Sequence, residues 1–185
     1  MKKTLFTFLL LIIFSAGFSQ TKNYINTGIG YFRDIEFRNE GMSINLEYNR
    51  LIADGMFAGC EIGMGQFNNN YRYAGQLKYF GLHLSFMPIE NPKFKLSFNI
   101  GPQISWYNSL RIISEQFVYN NATLEILEYS QLYEYFSKQL WGVNFNIKSY
   151  FRLSKSIDLM LSTGFLKYQT DKNFFIGNIG LNYNF

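Results

Sequence analysis

Eight stretches of this chain alternate large apolar side chains with small or polar ones at a period of two. The last twelve residues show it most plainly. Phe175, Gly177, Ile179, Leu181, Tyr183 and Phe185 share one face, and Ile176, Asn178, Gly180, Asn182 and Asn184 share the other. Period two belongs to a β-strand, because successive side chains of a strand point to opposite sides of the sheet. A strand whose apolar face ends on an exposed aromatic suits a surface covered by lipid better than one covered by water.

Seven earlier segments repeat the pattern, over 24–33, 41–50, 56–66, 76–87, 94–107, 139–153 and 157–168. In 41–50, Met42, Ile44, Leu46 and Tyr48 oppose Ser43, Asn45, Glu47 and Asn49. In 76–87, Phe80, Leu82, Leu84 and Phe86 oppose Tyr79, Gly81, His83 and Ser85. Eight is an even number, and each segment has roughly the 9–11 residues that a tilted membrane strand needs. The predicted connections alternate in length. Leu51 to Gly55, Pro88 to Lys93 and Ser154 to Ser156 are short; Asp34–Glu40, Phe67–Gly75, Asn108–Lys138 and Gln169–Asn173 fall on the other side. Short periplasmic turns with longer extracellular loops are the pattern of bacterial outer-membrane barrels.

The fold class expected is therefore all-β, an eight-stranded antiparallel up-and-down transmembrane β-barrel. Eight strands enclose a lumen only just wide enough for side chains. The Gly, Ser and Asn faces fit it, which leaves the Leu, Ile and Phe faces for lipid. Two interfacial aromatic belts are expected: Tyr31, Trp106, Trp141, Phe165 and Phe175 on the extracellular side, and Tyr48, Phe86, Phe151, Tyr183 and Phe185 on the periplasmic side. The opposite arrangement is a soluble exported barrel binding an apolar ligand, with Leu82, Leu84, Phe98 and Ile100 inward.

Residues 1–20 read as a secretory signal peptide. Lys2 and Lys3 precede an apolar run from Leu5 to Phe14 and then small residues, and the run is too short to span a bilayer. Residues 21–185 form the barrel domain. The formal charge of +4 includes those two lysines, and no later Lys/Arg stripe marks a nucleic-acid partner. The single cysteine, Cys60, rules out an intramolecular disulfide framework. No segment after residue 20 has 18 consecutive apolar residues, so helical spans are excluded.

On the export signal, the eight alternating segments, the loop asymmetry and the terminal Asn182-Tyr183-Asn184-Phe185, the chain resembles the small eight-stranded outer-membrane barrels of the outer-membrane protein X and A transmembrane-domain type. The resemblance implies location in the bacterial outer membrane, contact with its lipid, a monomer, and recognition of Tyr183 and Phe185 by the barrel assembly machinery. It carries no catalytic signature. Unlike the A-type proteins, the chain stops at Phe185, with no periplasmic domain expected.

Three sets of residues could carry chemistry. The first is His83 with Ser85, whose spacing resembles the catalytic pair of outer-membrane lipid A deacylases. Both fall on the lumen face below mid-height, away from such a substrate, so His83 is expected as a hydrogen-bonded lumen histidine and not as a base. The second is a lumen ion network of Glu47, Glu61, Lys95, Lys148, Arg152 and Asp158. Arg152 faces Asp158 across the turn 154–156, which predicts an ion pair near the periplasmic mouth. The third is the stretch 108–138, with Tyr119, Tyr129, Tyr133 and Tyr135. Its alternation on either side of Asn120-Asn121 suggests a hairpin continuing beyond the membrane, a contact region for an unknown extracellular partner. No metal-ligand cluster, phosphate loop or cofactor motif is present, and no enzyme activity is expected. Asn121-Ala122-Thr123 matches a glycosylation sequon that the bacterial context makes uninformative.

Overall fold

The computed structural model describes residues 22–36, 38–69, 73–119, 126–170 and 172–185. The signal-peptide segment 1–20, the sequon at 121–123 and the side chain of Tyr119 lie outside the described residues. Eight strands follow in order: β1 (Asn23–Asp34), β2 (Asn39–Ala53), β3 (Met56–Asn69), β4 (Tyr73–Glu90), β5 (Phe94–Tyr119), β6 (Ile126–Arg152), β7 (Ile157–Tyr168) and β8 (Asn173–Asn184). Each is antiparallel to its neighbours, and β8 pairs with β1 to close the barrel. At that seam Asn23 and Phe185 exchange two backbone hydrogen bonds of 3.0 Å. The terminal strand thereby has no free edge, which is the physical reason for closure.

The register defines the barrel's shape. Direct pairing runs Asn23–Arg50–Ala58–Leu84–Ile100–Phe145–Phe165–Phe175 and returns to β1 at Arg33, ten residues further on. Strands must tilt to absorb such a stagger, which sets the diameter for a given strand number.

At one end, which also carries both chain ends of the barrel, the connections are tight. Asp54-Gly55 joins β2 to β3, with Gly55 in the left-handed region at φ 66° and a bulge at Leu51/Ala53. Leu153 and Ser154 both donate backbone N–H groups to the Ile157 carbonyl at 3.0 Å, closing the turn before β7. We call this the turn end and the opposite one the hairpin end.

Two expectations need correction at the hairpin end. The connection between the third and fourth segments is shorter than 67–75, because β3 runs to Asn69 and β4 begins at Tyr73. The long connection 108–138 is mostly strand: β5 and β6 pair from Phe94↔Phe151 out to Tyr119↔Ile126, with bulges near Ile112/Ser114 and Val118/Tyr119. β5 leaves its other neighbour after Arg111↔Tyr73, and β6 joins β7 only from Gly142↔Tyr168. A two-stranded ribbon therefore stands clear of the barrel by roughly 25 Å at about 3.3 Å per residue. Aromatic and β-branched residues on both arms, including Ile112, Phe117, Val118, Tyr129 and Tyr133, favour the continued pairing that the alternation around Asn120-Asn121 suggested.

The inside-out arrangement is observed. Ile29, Leu46, Ile62, Leu82, Leu84, Ile100, Leu161, Ile179 and Leu181 all point outward and are exposed, Ile100 at 56%. Phe98 shares that outward parity. The soluble-barrel alternative, with Leu82, Leu84, Phe98 and Ile100 inward, is contradicted.

The lumen is less uniformly small and polar than expected. Toward the hairpin end, Phe32, Phe67, Leu77, Tyr79, Tyr107, Leu140, Leu166, Tyr168, Phe174 and Ile176 form one buried cluster. Toward the turn end, Tyr24, Phe57, Met87, Tyr150 and Met160 form another. Bulky rings fit because inward glycines make room for them. A Cβ added at Gly63 would lie 2.2 Å from the Tyr79 ring, one at Gly65 2.6 Å from Phe32, and one at Gly75 2.1 Å from Phe67. The glycines on the polar faces are the sockets of the aromatic plug.

Candidate functional site

Between the two aromatic clusters lies the polar middle of the lumen, contributed by β2, β3, β4, β5 and β6. Side chains there alternate inward every second residue, so Glu47 and Asn49 of β2 face His83 and Ser85 of β4, Asn99 of β5 and Lys148 of β6. Glu47 is the hub. Its Oε2 accepts from Lys148 Nζ, and its Oε1 accepts from Asn49 Nδ2 at 2.5 Å and Asn99 Nδ2 at 3.2 Å. His83 Nε2 stands 3.1 Å from Glu47 Oε1 and 2.8 Å from Asn49 Oδ1. Since Asn49 Oδ1 only accepts, Nε2 carries the hydrogen in this arrangement. Ser85 Oγ also donates to Asn49 Oδ1, at 3.3 Å. His83 and Ser85 thus share a partner and do not take each other, the reverse of a base activating a nucleophile.

The other expected members of the network separate into two further groups. Glu61, 4% exposed, accepts from Asn45 Nδ2 at 2.8 Å and Tyr79 OH at 3.2 Å, so neutral donors satisfy it where a cation was expected. Beside it an enclosed void of about 10 Å³, room for roughly one water, is lined by Asn45, Glu61, Tyr79, Asn146, Lys148 and Asn178. At the turn-end mouth Asp158 is bracketed by Arg152 and by Lys95 Nζ at 3.3 Å. Asn182 and Asn184 donate their side-chain amides to Asp158 Oδ2 at 2.8 and 3.0 Å, and Lys95 also reaches Asn184 Oδ1 at 3.0 Å. The structure therefore brings Arg152, Asp158 and Lys95 together, joins Glu47 to Lys148 and His83, and leaves Glu61 with uncharged partners.

Several contacts in the lumen carried no sequence signal, although alternation put these polar residues on its face. Asn49 and Asn99 tie the hub together, and Tyr168 OH binds Gln103 Nε2 and Ser105 Oγ, both at 2.6 Å. Only the register shows that these positions meet. Lys172, from the connection before β8, lies 5.4 Å over the Tyr107 ring and 2.6 Å from Glu36 Oε2, capping the hairpin end of the lumen. A buried charge is tolerated when paired and hydrogen-bonded, and Glu47, Lys148, Lys95, Arg152 and Asp158 are held that way, whereas Glu61 has neutral donors alone.

The second candidate region is the projecting ribbon. Tyr129, Tyr133 and Tyr135 lie on β6 and are exposed, Tyr135 at 66%. The Phe117 and Tyr129 rings pack 4.8 Å apart across the two arms. Tyr135 OH and Ser137 Oγ both donate to Asn108 Oδ1, at 3.2 and 2.7 Å. Leu132, Ile126 and Val118 are also exposed, so both faces of the ribbon present apolar area. Tyr183 and Phe185, the expected assembly signal, are exposed on the outward face of β8 with rings stacked 5.9 Å apart. No cluster of metal-ligating side chains is found among the described residues.

No protein-family model matches the chain. No curated protein matches it in sequence either. Solved structures do match in fold. A major outer membrane protein from Thermus thermophilus is similar with a TM-score of 0.64 at 10% identity, over 90% of this chain and 100% of that one. Neisserial surface protein A is similar with a TM-score of 0.58 at 10% identity, over 90% and 98%. Ail, the attachment invasion locus protein of Yersinia pestis, is similar with a TM-score of 0.55 at 12% identity, over 89% and 97%. The shared feature is the small outer-membrane β-barrel fold.

Proposed function

We propose that this barrel resides in the bacterial outer membrane, reached by the N-terminal export signal, as a closed, non-catalytic anchor that holds the β5–β6 ribbon out to an extracellular protein partner. The observation that carries the reading is the ribbon itself. Between Arg111 and Trp141 neither arm pairs with β4 or β7, and both faces expose Tyr, Leu and Ile. Unpaired strand edges offer backbone donors and acceptors to another chain, and flanking tyrosines supply contact area at low entropic expense.

The lumen supports an anchor more than a pore. Two aromatic clusters and a neutralised polar layer fill it, and an eight-stranded interior has little space to spare. The hydrogen bonding of His83 and Ser85 to Asn49 favours a structural role for both over lipid deacylation. Outward Leu, Ile and Phe at mid-height suit acyl chains. The mature barrel is expected to act as a monomer, and Tyr183 and Phe185 to act during assembly only.

The test replaces residues 110–136 with Asn-Gly, which joins the arms at the barrel rim. Intact and trimmed proteins in nanodiscs are screened against immobilised extracellular proteins. The reading expects ligands bound by the intact barrel and lost on trimming. Binding that survives trimming would overturn it. Lipid A of altered mass in cells expressing the gene would favour the enzyme instead.

A further inference from the structure

We propose that two lysines on the outer wall, Lys78 and Lys167, with Trp106 and Trp141 beside them, form binding sites for the phosphate groups of outer-leaflet glycolipid on either side of the β5–β6 ribbon. This assignment rests on the membrane reading above and goes beyond it by giving a particular face a lipid class.

Height relates the residues. Direct pairing climbs the wall by ten residues in a circuit of eight strands, so crossing three strands is offset by moving about four residues along one. Lys78 pairs with Trp106, and Trp106 with Gln139. Lys167 pairs with Val143, four residues below Gln139 on the next strand back. In the other direction Lys78 leads through Met64 and Ile44 to Ile29, four residues below Arg33. Arg33, Lys78 and Lys167 therefore stand at one height, although their sequence positions have no visible relation. All three have the outward parity of Phe80, Phe165 and Tyr31. Those aromatics lie two residues lower on the same strands, and Trp106 and Trp141 lie about level with the cations. Aromatics mark the headgroup boundary of a bilayer, so the cations meet the headgroups themselves.

Charge separates the three. Arg33 Nε is 3.7 Å from Glu40 Oε1, so it already has an anion. Lys78 and Lys167 are exposed and have no acidic group within ion-pair distance among the described residues. Each has a tryptophan on the adjacent strand, Trp106 directly opposite Lys78 and Trp141 diagonal to Lys167. An ammonium brings three donors and an indole one, all suited to phosphate oxygens and none able to accept. A phosphomonoester carries up to two negative charges, whereas a zwitterionic headgroup offers the lysine none in net. The occupant that fits an uncompensated cation at this level is a glycolipid bearing phosphates, the anionic lipid of the leaflet on the ribbon side.

The test uses the whole barrel in nanodiscs of zwitterionic phosphatidylcholine containing a small fraction of diphosphorylated lipid A, with retained lipid counted by native mass spectrometry. K78Q/K167Q is compared with wild type and with K93Q at the turn end. Electrostatic attraction near a charged headgroup is worth about fivefold per lysine, so the double variant, which takes one lysine from each site, should retain roughly fivefold less lipid A with no change in phosphatidylcholine. K93Q should match wild type. Gel mobility without heating verifies that each variant is folded. W106F/W141F, with both lysines present, should show an intermediate loss. Equal lipid A retention in wild type and K78Q/K167Q would overturn the proposal, as would an equal drop in both lipids. Failure of wild type to insert into either bilayer would refute the membrane reading instead, so the two failures are distinguishable.

Discussion

Removing the ammonium of Lys148 should destabilise the barrel severely, and removing its partner as well should restore most of the loss. Lys148 and Glu47 are buried, with side chains 1% and 0% exposed. In K148M the Glu47 carboxylate keeps Asn49, Asn99 and His83 but loses its one fixed cation. Breaking one side of a buried pair costs about 3–5 kcal/mol. E47Q strands the ammonium in the same way and belongs in the same range. Independent sites would add to about 6–10 kcal/mol. In K148M/E47Q, however, no ionised member of the pair remains, and the amide can still accept from Asn49 or Asn99. The double variant should then lie within about 2 kcal/mol of wild type, a coupling of several kcal/mol. Reversible urea unfolding in phosphatidylcholine vesicles, followed by tryptophan fluorescence, measures all four corners of the cycle. A K148M loss under about 1 kcal/mol, or additive single losses, would refute the reasoning that this pair holds the lumen middle.

Other perturbations probe the remaining parts by the same unfolding assay. G63A puts a methyl where the Tyr79 ring lies and should cost about 1–3 kcal/mol; adding Y79L should recover part of it, and an unperturbed G63A would contradict the socket description. R152A should cost under about 1 kcal/mol, because Lys95, Asn182 and Asn184 still hold Asp158. D158A strands those partners and should cost about 2–3 kcal/mol; equal losses in the two would show that the mouth is not organised around Asp158. Replacing 110–136 with Asn-Gly should leave barrel stability within about 0.5 kcal/mol, since few contacts link the ribbon tip to the wall. A large loss would mean the ribbon supports the fold.

Much of this architecture is legible in the sequence. Period-two alternation located all eight strands and their outward faces, because one residue of slip would turn every lumen-facing polar side chain outward toward lipid. The Arg152–Asp158 contact was legible for a local reason: a three-residue turn fixes which positions face each other. The aromatic plugs were not. Rings seemed too large for an eight-stranded lumen when judged by volume alone, and the glycine that receives each ring sits on another strand. Tyr79 over Gly63 and Phe67 over Gly75 are relations of register. The same holds for His83 and Glu47, which are 36 positions apart and meet only because β2, β3 and β4 stack in one stagger. The ribbon was half legible. Alternation around Asn120-Asn121 suggested a hairpin, but its length depended on how far pairing outlasts support from β4 and β7, which propensity alone does not decide.

Contact of Ile100 and its neighbours with the hydrocarbon core is the claim on which the rest depends. With Trp106 and Trp141 replaced by Phe, a lone tryptophan at position 100 reports depth through quenching by phosphatidylcholines brominated at different acyl positions. The outward arrangement predicts strongest quenching by bromines near the chain ends, and a lone tryptophan retained at 106 should be quenched best by bromines near the headgroups. Equal, weak quenching of position 100 by every bromolipid would place that face away from the bilayer and contradict the claim.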